Sequence, residues 1–147
     1  DLRNINFTHM PLLRHLNLRE VTLPNDSLNG IGSHAGITRI VLPEKLRVIG
    51  IGAFDHCPHL SGSLIIPEGV TAIYDEAFRW AQFSGELKLP STLKYIGYYA
   101  FENCTGLTSI NYDGTITQWT SISKGSNWKG GVPSNCMVHC TDGDIAI

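Results

Sequence analysis

The histidine, cysteine and carboxylate side chains are where this 147-residue chain could do chemistry. His56, Cys57 and His59 fall close together, a soft donor set of the kind that holds zinc. Structural zinc, however, takes four ligands at Cys-x-x-Cys-like spacings, a set that these three residues do not make up. His9, His15, His34 and His139 are scattered, although the internal repeat of the chain puts His34 one turn beside Cys57. Asp75 adjoins Glu76, and Asp142 and Asp144 bracket Gly143. Turn chemistry accounts for both pairs, because aspartate tolerates turn backbone and bonds nearby amides. A calcium loop would need more oxygen ligands than this tail offers. The sequence holds no glycine-rich phosphate loop, no Gly-x-Ser-x-Gly elbow and no His-Glu-x-x-His helix. The expectation is a chain with no catalytic residues, no cofactor and no metal.

That repeat is what positions these residues. One slot holds Phe7, Ile31, Phe54, Phe78 and Phe101, at intervals of 24, 23, 24 and 23 residues. Leu16, Ile40, Leu64, Leu87 and Ile110 keep step with it, and so do Leu18, Leu42, Ile66, Leu89 and Tyr112. A period of this size is the mark of a solenoid, whose units bury their apolar faces only against their neighbours. Such a chain builds a wall rather than a pocket, which points to binding.

Within a unit, Ile40-Val-Leu-Pro43, Leu64-Ile-Ile-Pro67 and Leu87-Lys-Leu-Pro90 read as short strands. Alternate residues face opposite ways, and the proline ends the ladder because it has no N–H to donate. Leu46 and Ile49, Val70 and Ile73, and Leu93 and Ile96 predict a second strand or extended corner. Gly50 and Gly97 come next, where a bend is expected to need a permissive backbone. Ala53-Phe54, Ala77-Phe78 and Ala100-Phe101 then suit a single helical turn. The first unit is degenerate: Arg19 replaces the proline, and Val21-Thr-Leu-Pro24 predicts a longer, irregular corner.

After Tyr112 the repeat stops. Ile116 to Ile122 has helical spacing, and residues 137–147 read as a hairpin around Asp142-Gly143. Trp119 and Trp128 stand where a solenoid must cover its last turn. The expected organisation is a solenoid over residues 1–112 and a C-terminal cap over residues 113–147.

Cys57 and Cys104 share one slot, two turns apart, with Ala81 between them and His34 before. Turns stack at about 4.8 Å, so the two backbones lie nearly 10 Å apart, beyond the roughly 7 Å a disulfide allows. Cys136 and Cys140 could bridge only across a tight bend. The formal net charge is −2 and the basic residues are scattered, leaving no electrostatic footprint for nucleic acid. No apolar run approaches the roughly 18 residues of a membrane span. The chain opens Asp1-Leu2-Arg3-Asn4, without an initiator methionine and already inside a repeat, as expected of a segment of a longer precursor.

Outward strand positions form the row Asn17, Val41, Ile65, Lys88 and Asn111. Glu44, Glu68 and Ser91 come after the prolines, with Arg47, Thr71 and Lys94 further on. Tyr74, Tyr95, Tyr98 and Tyr99 gather near the corners, where some are expected to pack beside Trp80 and others to anchor contacts.

Leu64-Ile-Ile-Pro67, Val70-Thr-Ala-Ile73 and Glu76-Ala-Phe78 resemble the BspA-like class of leucine-rich repeats. So does Leu93-Lys-Tyr-Ile96-Gly97 with Ala100-Phe101-Glu-Asn-Cys104, while His34, Ala81 and Ile31 depart from the class pattern. The tail segments Tyr112-Asp-Gly-Thr115, Gln118-Trp119 and Cys140-Thr-Asp-Gly143 also resemble the segments C-terminal to these repeats in proteins of gut and oral bacteria. The resemblance implies a leucine-rich-repeat solenoid, mainly β with short helical or 3-10 turns, of about four to five stacked coils plus the cap. It implies a secreted or cell-surface bacterial protein, extracellular, that binds a protein or glycan on a host or neighbouring cell. A structural spacer and a glycan-binding accessory domain are the alternatives. Neither nucleic acid nor membrane insertion is expected.

Overall fold

The computed structural model describes residues 12–31 and 36–147; the expectations for Phe7, His9, Met10 and His34 lie outside the described residues. Each coil contributes one strand to each of two parallel stacks. On one side stand β1 (His15–Asn17), β3 (Arg39–Val41), β5 (Leu64–Ile65), β7 (Leu87–Leu89) and β9 (Ser109–Tyr112). On the other stand β2 (Ser27–Leu28), β4 (Val48–Ile49), β6 (Ala72–Ile73), β8 (Tyr95–Ile96) and β10 (Ser123–Lys124). The tail adds α1 (Ile116–Ser121) and the strands β11 (Met137–Cys140) and β12 (Gly143–Ala146). The second stack is one continuous parallel sheet, whereas the first divides into a β1–β3 pair and a sheet ordered β12-β11-β9-β7-β5.

Register keeps the ladders intact. Leu16 pairs with Ile40, Leu64 with Leu87, and Leu87 with Ile110. The strands are only two to four residues long because each side of the coil needs only that much chain before it turns. Phe54, Phe78 and Phe101 stack inside, with ring centroids 5.1 and 5.3 Å apart and planes 12° and 11° from parallel. Coil spacing imposes this near-parallel stack, since rings on equivalent backbone positions can only lie about 4.8 Å apart or tilt. All three rings and Ile31 are fully buried. Each stabilises by about 1.5–3 kcal/mol through burial alone.

The column ends at Trp128, which meets Phe101 edge-on at 6.2 Å and Trp119 at 6.0 Å. Tyr112 packs on Trp119 at 5.4 Å, so three rings seal the last coil. Thr115 caps α1 with its hydroxyl while Gln118 reaches back to the Thr115 N–H, a reciprocal capping box. Asp142 of the tail accepts from the Ile116 N–H at 2.7 Å. Lys124 Nζ donates to the carbonyls of Trp119 (2.6 Å) and Ile122 (3.1 Å) and lies 4.5 Å from the centre of the Trp119 ring. These bonds satisfy backbone groups that a two-turn helix leaves open. β10 and β11 continue both stacks, and β12 returns antiparallel along the edge. Cys140 pairs with Gly143, so the hairpin loop is Thr141-Asp142, one residue earlier than the sequence suggests.

Two local expectations need correction. The Ala-Phe segments are not helical turns: each coil makes two successive turns there, closed by residues in the left-handed region. One column of such residues is Gly52, Glu76, Tyr99 and Asn127, with φ of 58°, 58°, 56° and 56°. The other is His56, Trp80, Asn103 and Gly131, with φ of 54°, 60°, 58° and 77°. Gly50 and Gly97, for their part, are not needed for positive φ. A Cβ on Gly97 would sit 2.5 Å from the Asp75 N and 2.6 Å from the Tyr74 carbonyl carbon, in the coil before. On Gly50 it would strike the Asn29 side chain. Close approach of coils, rather than bending, selects glycine at both positions.

Candidate functional site

The donor groups do not converge. Among the described residues no three His, Cys, Asp or Glu side chains lie close enough to hold a metal ion. His56 and His59 are both exposed while Cys57 is fully buried. No disulfide joins any of the four cysteines. Cys104 donates its thiol to the Phe78 carbonyl at 3.1 Å, and burial pushes its pKa up to about 12. That is the reverse of the lowered value a nucleophile needs. Asp75 serves the fold across coils rather than within its own turn, accepting from the Tyr98 N–H at 2.9 Å. His139 bonds Asp144 across the terminal hairpin at 2.9 Å, in the open.

On the first stack the outward row runs as the sequence implies, Asn17 beside Val41, then Ile65, Lys88, Asn111 and finally His139. Asn111 bonds Glu86 and Lys88 pairs with Asp113, so these polar members are held by side chains outside the row. Between β3 and β5 the row is interrupted. No strand ladder joins them, and one backbone bond, Ser61 N–H to Thr38 O at 3.0 Å, bridges the coils at that edge. The seam opens a cleft of about 610 Å³ lined by Arg19, Arg39, Val41, Glu44, Ile65 and Glu68. Ile65 stands 63% exposed on its wall. Neither the Arg19 nor the Arg39 guanidinium has an ion-pair partner among the described residues.

The corner after the second stack carries Ile51, Tyr74, Tyr98 and Tyr99, all exposed. Tyr74 packs on Tyr95 at 5.7 Å, and the Tyr95 hydroxyl reaches Asp75 at 3.5 Å. Tyr74 and Tyr95 therefore pack on each other rather than beside Trp80 as expected, while Tyr98 and Tyr99 stand exposed. The Trp80 ring stacks instead on His56, at 6.1 Å and 26°. Beside this aromatic pair runs the column Asp55, Arg79, Glu102. Arg79 grips Asp55 with two bonds (3.0 and 3.2 Å) and also pairs with Glu76 at 2.8 Å. His56 Nδ1 lies 2.8 Å from the same Asp55. Burial works against charge on Asp55, but the bonds from Arg79 and His56 outweigh it and hold the carboxyl below its usual range.

Sequence reasoning missed the special position of Trp80 and Tyr99. The signal was present in their columns, where Gly52, Asn103, Asn127 and Gly131 are the residue types that enter left-handed backbone most readily.

Comparison with known proteins agrees with this architecture. The sequence pattern of the BspA type Leucine rich repeat region matches residues 12–123, in 6 copies. A crystal structure of a leucine rich cell surface protein from Faecalibacterium prausnitzii A2-165 is similar, at 33% identity and a TM-score of 0.59. The likeness covers 63% of this chain and 24% of that one, so this chain spans under a quarter of that protein's length. No curated protein matches the chain. With stacked phenylalanines, paired parallel stacks and a repeat match over most of its length, the chain belongs to the BspA-type leucine-rich-repeat family.

Proposed function

We propose that this chain is a non-catalytic binding module of a secreted or surface-exposed bacterial protein, contacting a protein or glycan on a host or neighbouring cell. One observation carries the reading: several of the large apolar side chains left exposed stand in slots that other coils fill with small or polar residues. Ile51 and Tyr98 share a slot that the coil between them fills with Asp75, and Tyr74 shares one with Gly50 and Gly97. Ile65 stands in a row with Lys88 and Asn111, Tyr99 with Gly52 and Glu76, and Trp80 with Asn103 and Gly131. Folding does not require them, and water disfavours them. A rigid scaffold that displays such residues gains from it only when something covers them. The cell-surface description of the similar protein supports the location, and residues 113–147 serve in this reading as the cap that closes the solenoid. No helix among the described residues is long and apolar enough to cross a membrane.

Beads coated with the domain test this against cultured epithelium and mucus layers. Adhesion above albumin-coated beads is expected. The triple variant Ile65→Lys, Tyr98→Asp, Tyr99→Asn, which borrows residues from equivalent slots, should lose most of it. If wild-type beads behave like albumin beads, the structural-spacer reading takes its place.

A further inference from the structure

We propose that the corner after the second stack binds an arginine side chain of a protein partner, its guanidinium lying against the exposed tyrosines and donating to the Asp75 carboxylate. This rests on the reading of the chain as a binding module and names the partner chemistry for one surface of it.

Strand register sets the site. Ile73 pairs with Ile49 on one side and Ile96 on the other, so two residues further on Ile51, Asp75 and Tyr98 stand side by side on successive coils. A carboxylate is thus flanked, at a coil spacing of about 4.8 Å, by two large side chains that are 67% and 49% exposed. Tyr74, also exposed, adjoins it in the chain and lies 5.7 Å from the Tyr95 ring. The Tyr95 hydroxyl reaches Asp75 Oδ1 at 3.5 Å, and the Tyr98 N–H donates to the same oxygen at 2.9 Å. A Cβ on Gly97 would strike that oxygen, so glycine in the next coil leaves the carboxylate its place. Burial pushes the Tyr95 hydroxyl up in pKa, and the charge of Asp75 and the nearness of Tyr98 and Tyr74 add to it, as expected of groups gathered at one place.

What the cluster lacks is a cation. Among the described residues no lysine, arginine or histidine pairs with Asp75, whereas the adjoining Glu76 pairs with Arg79 at 2.8 Å. Both bonds to Asp75 come from neutral donors and go to Oδ1. Oδ2 has no partner, and no side-chain oxygen or nitrogen among the described residues is both buried and unbonded, so Oδ2 opens to water. An acidic glycan would be repelled by this charge, and a neutral one would leave it unmatched. A cationic side chain matches it and gains from the aromatic rings around it. Arginine suits the place better than lysine. Its guanidinium is planar, weakly hydrated and stacks on aromatic faces with its N–H groups still free to reach a carboxylate, whereas the lysine ammonium is a strongly hydrated point charge. Tyrosine and arginine are also the residues that carry much of the energy where proteins meet.

The test uses the intact chain and short glycine-serine peptides that carry arginine, lysine or glutamate at alternate positions. Binding is followed through the tyrosine ring signals in NMR spectra. The arginine peptide should bind saturably, shift the signals of Tyr74 and Tyr98, and weaken as salt rises, as a surface ion pair does. Asp75→Asn keeps an oxygen for the Tyr98 N–H and removes only the charge, so the variant should fold and bind about tenfold more weakly or worse, the usual worth of a charged hydrogen bond. Tyr98→Phe should bind as the wild type does, and Tyr98→Ala clearly more weakly. No binding of the arginine peptide overturns the proposal, as does binding unchanged in Asp75→Asn. So does a lysine peptide that binds as tightly as arginine, or a glutamate peptide or neutral oligosaccharide that shifts the same rings in its place. Bead adhesion separates the two readings: if wild-type and Asp75→Asn beads adhere alike while no arginine peptide binds, the arginine site fails and the binding module stands.

Discussion

At the scale of single residues, protonation separates groups that hold the fold from those that merely decorate it. Asp55 is kept ionised by Arg79 and His56, so its folded pKa lies below its unfolded one. Its contribution is therefore present above the unfolded value of about 4 and is lost as pH falls through the lower folded value. Thermal melts into acid should show this limb, and Asp55→Asn should flatten it. An unchanged limb would mean that other carboxylates set acid stability. Cys104 behaves oppositely: its folded pKa, near 12, stands above the unfolded value of 9.0, so stability held below pH 9.0 falls as pH climbs toward 12. The same burial makes the thiol inert. A thiol reagent at neutral pH should spare Cys104 in the native protein and label it once urea unfolds the chain. Native labelling at the unfolded rate would contradict its buried position.

Secondary-structure elements here are so short that their ends and close approaches decide their stability. The capping box of α1 predicts that Thr115→Ala lowers stability by about 1 kcal/mol in urea denaturation, the usual worth of such a cap. Glycines give a graded test of how coils touch. An added methyl on Gly97 meets backbone atoms of the preceding coil, whereas on Gly50 it meets mainly the Asn29 side chain, which can rotate away. Gly97→Ala should therefore cost about 1–3 kcal/mol, as overpacking does, and Gly50→Ala clearly less. Equal losses would favour bending as the reason for glycine. The strands themselves were legible in the sequence, because Pro43, Pro67 and Pro90 punctuate an alternating pattern that strands alone share. The roles of Gly50 and Gly97 were not, since the atoms they avoid belong to residues more than twenty positions earlier. The double turn after each second strand reads as helix, because Phe54, Cys57 and Leu60 at spacings of three mimic one, while φ at His56 and Trp80 leaves no trace in hydrophobicity.

The whole molecule is a set of columns, some closed inside and some left open to water. The inner columns were visible from spacing alone, since Phe54, Phe78 and Phe101 recur in phase with the strand ladders. The outer ones were visible only as positions. Nothing in the sequence marked the seam between β3 and β5, because Ile40 and Leu64 keep the same interval as strands that do pair. Nor did it show that Trp80 stacks on His56, which depends on both residues taking left-handed backbone. Required and displayed aromatic residues divide most sharply at Phe78 and Trp80, two positions apart in one coil. Melting and urea curves of Phe78→Ala and Trp80→Asn measure that division directly. Phe78→Ala should lose about 3–5 kcal/mol. Trp80→Asn should lose nothing and can gain, because a strained, exposed ring is replaced by a residue that fits the backbone. Comparable losses in both variants would contradict this division, since Trp80 would then be part of what holds the coils together.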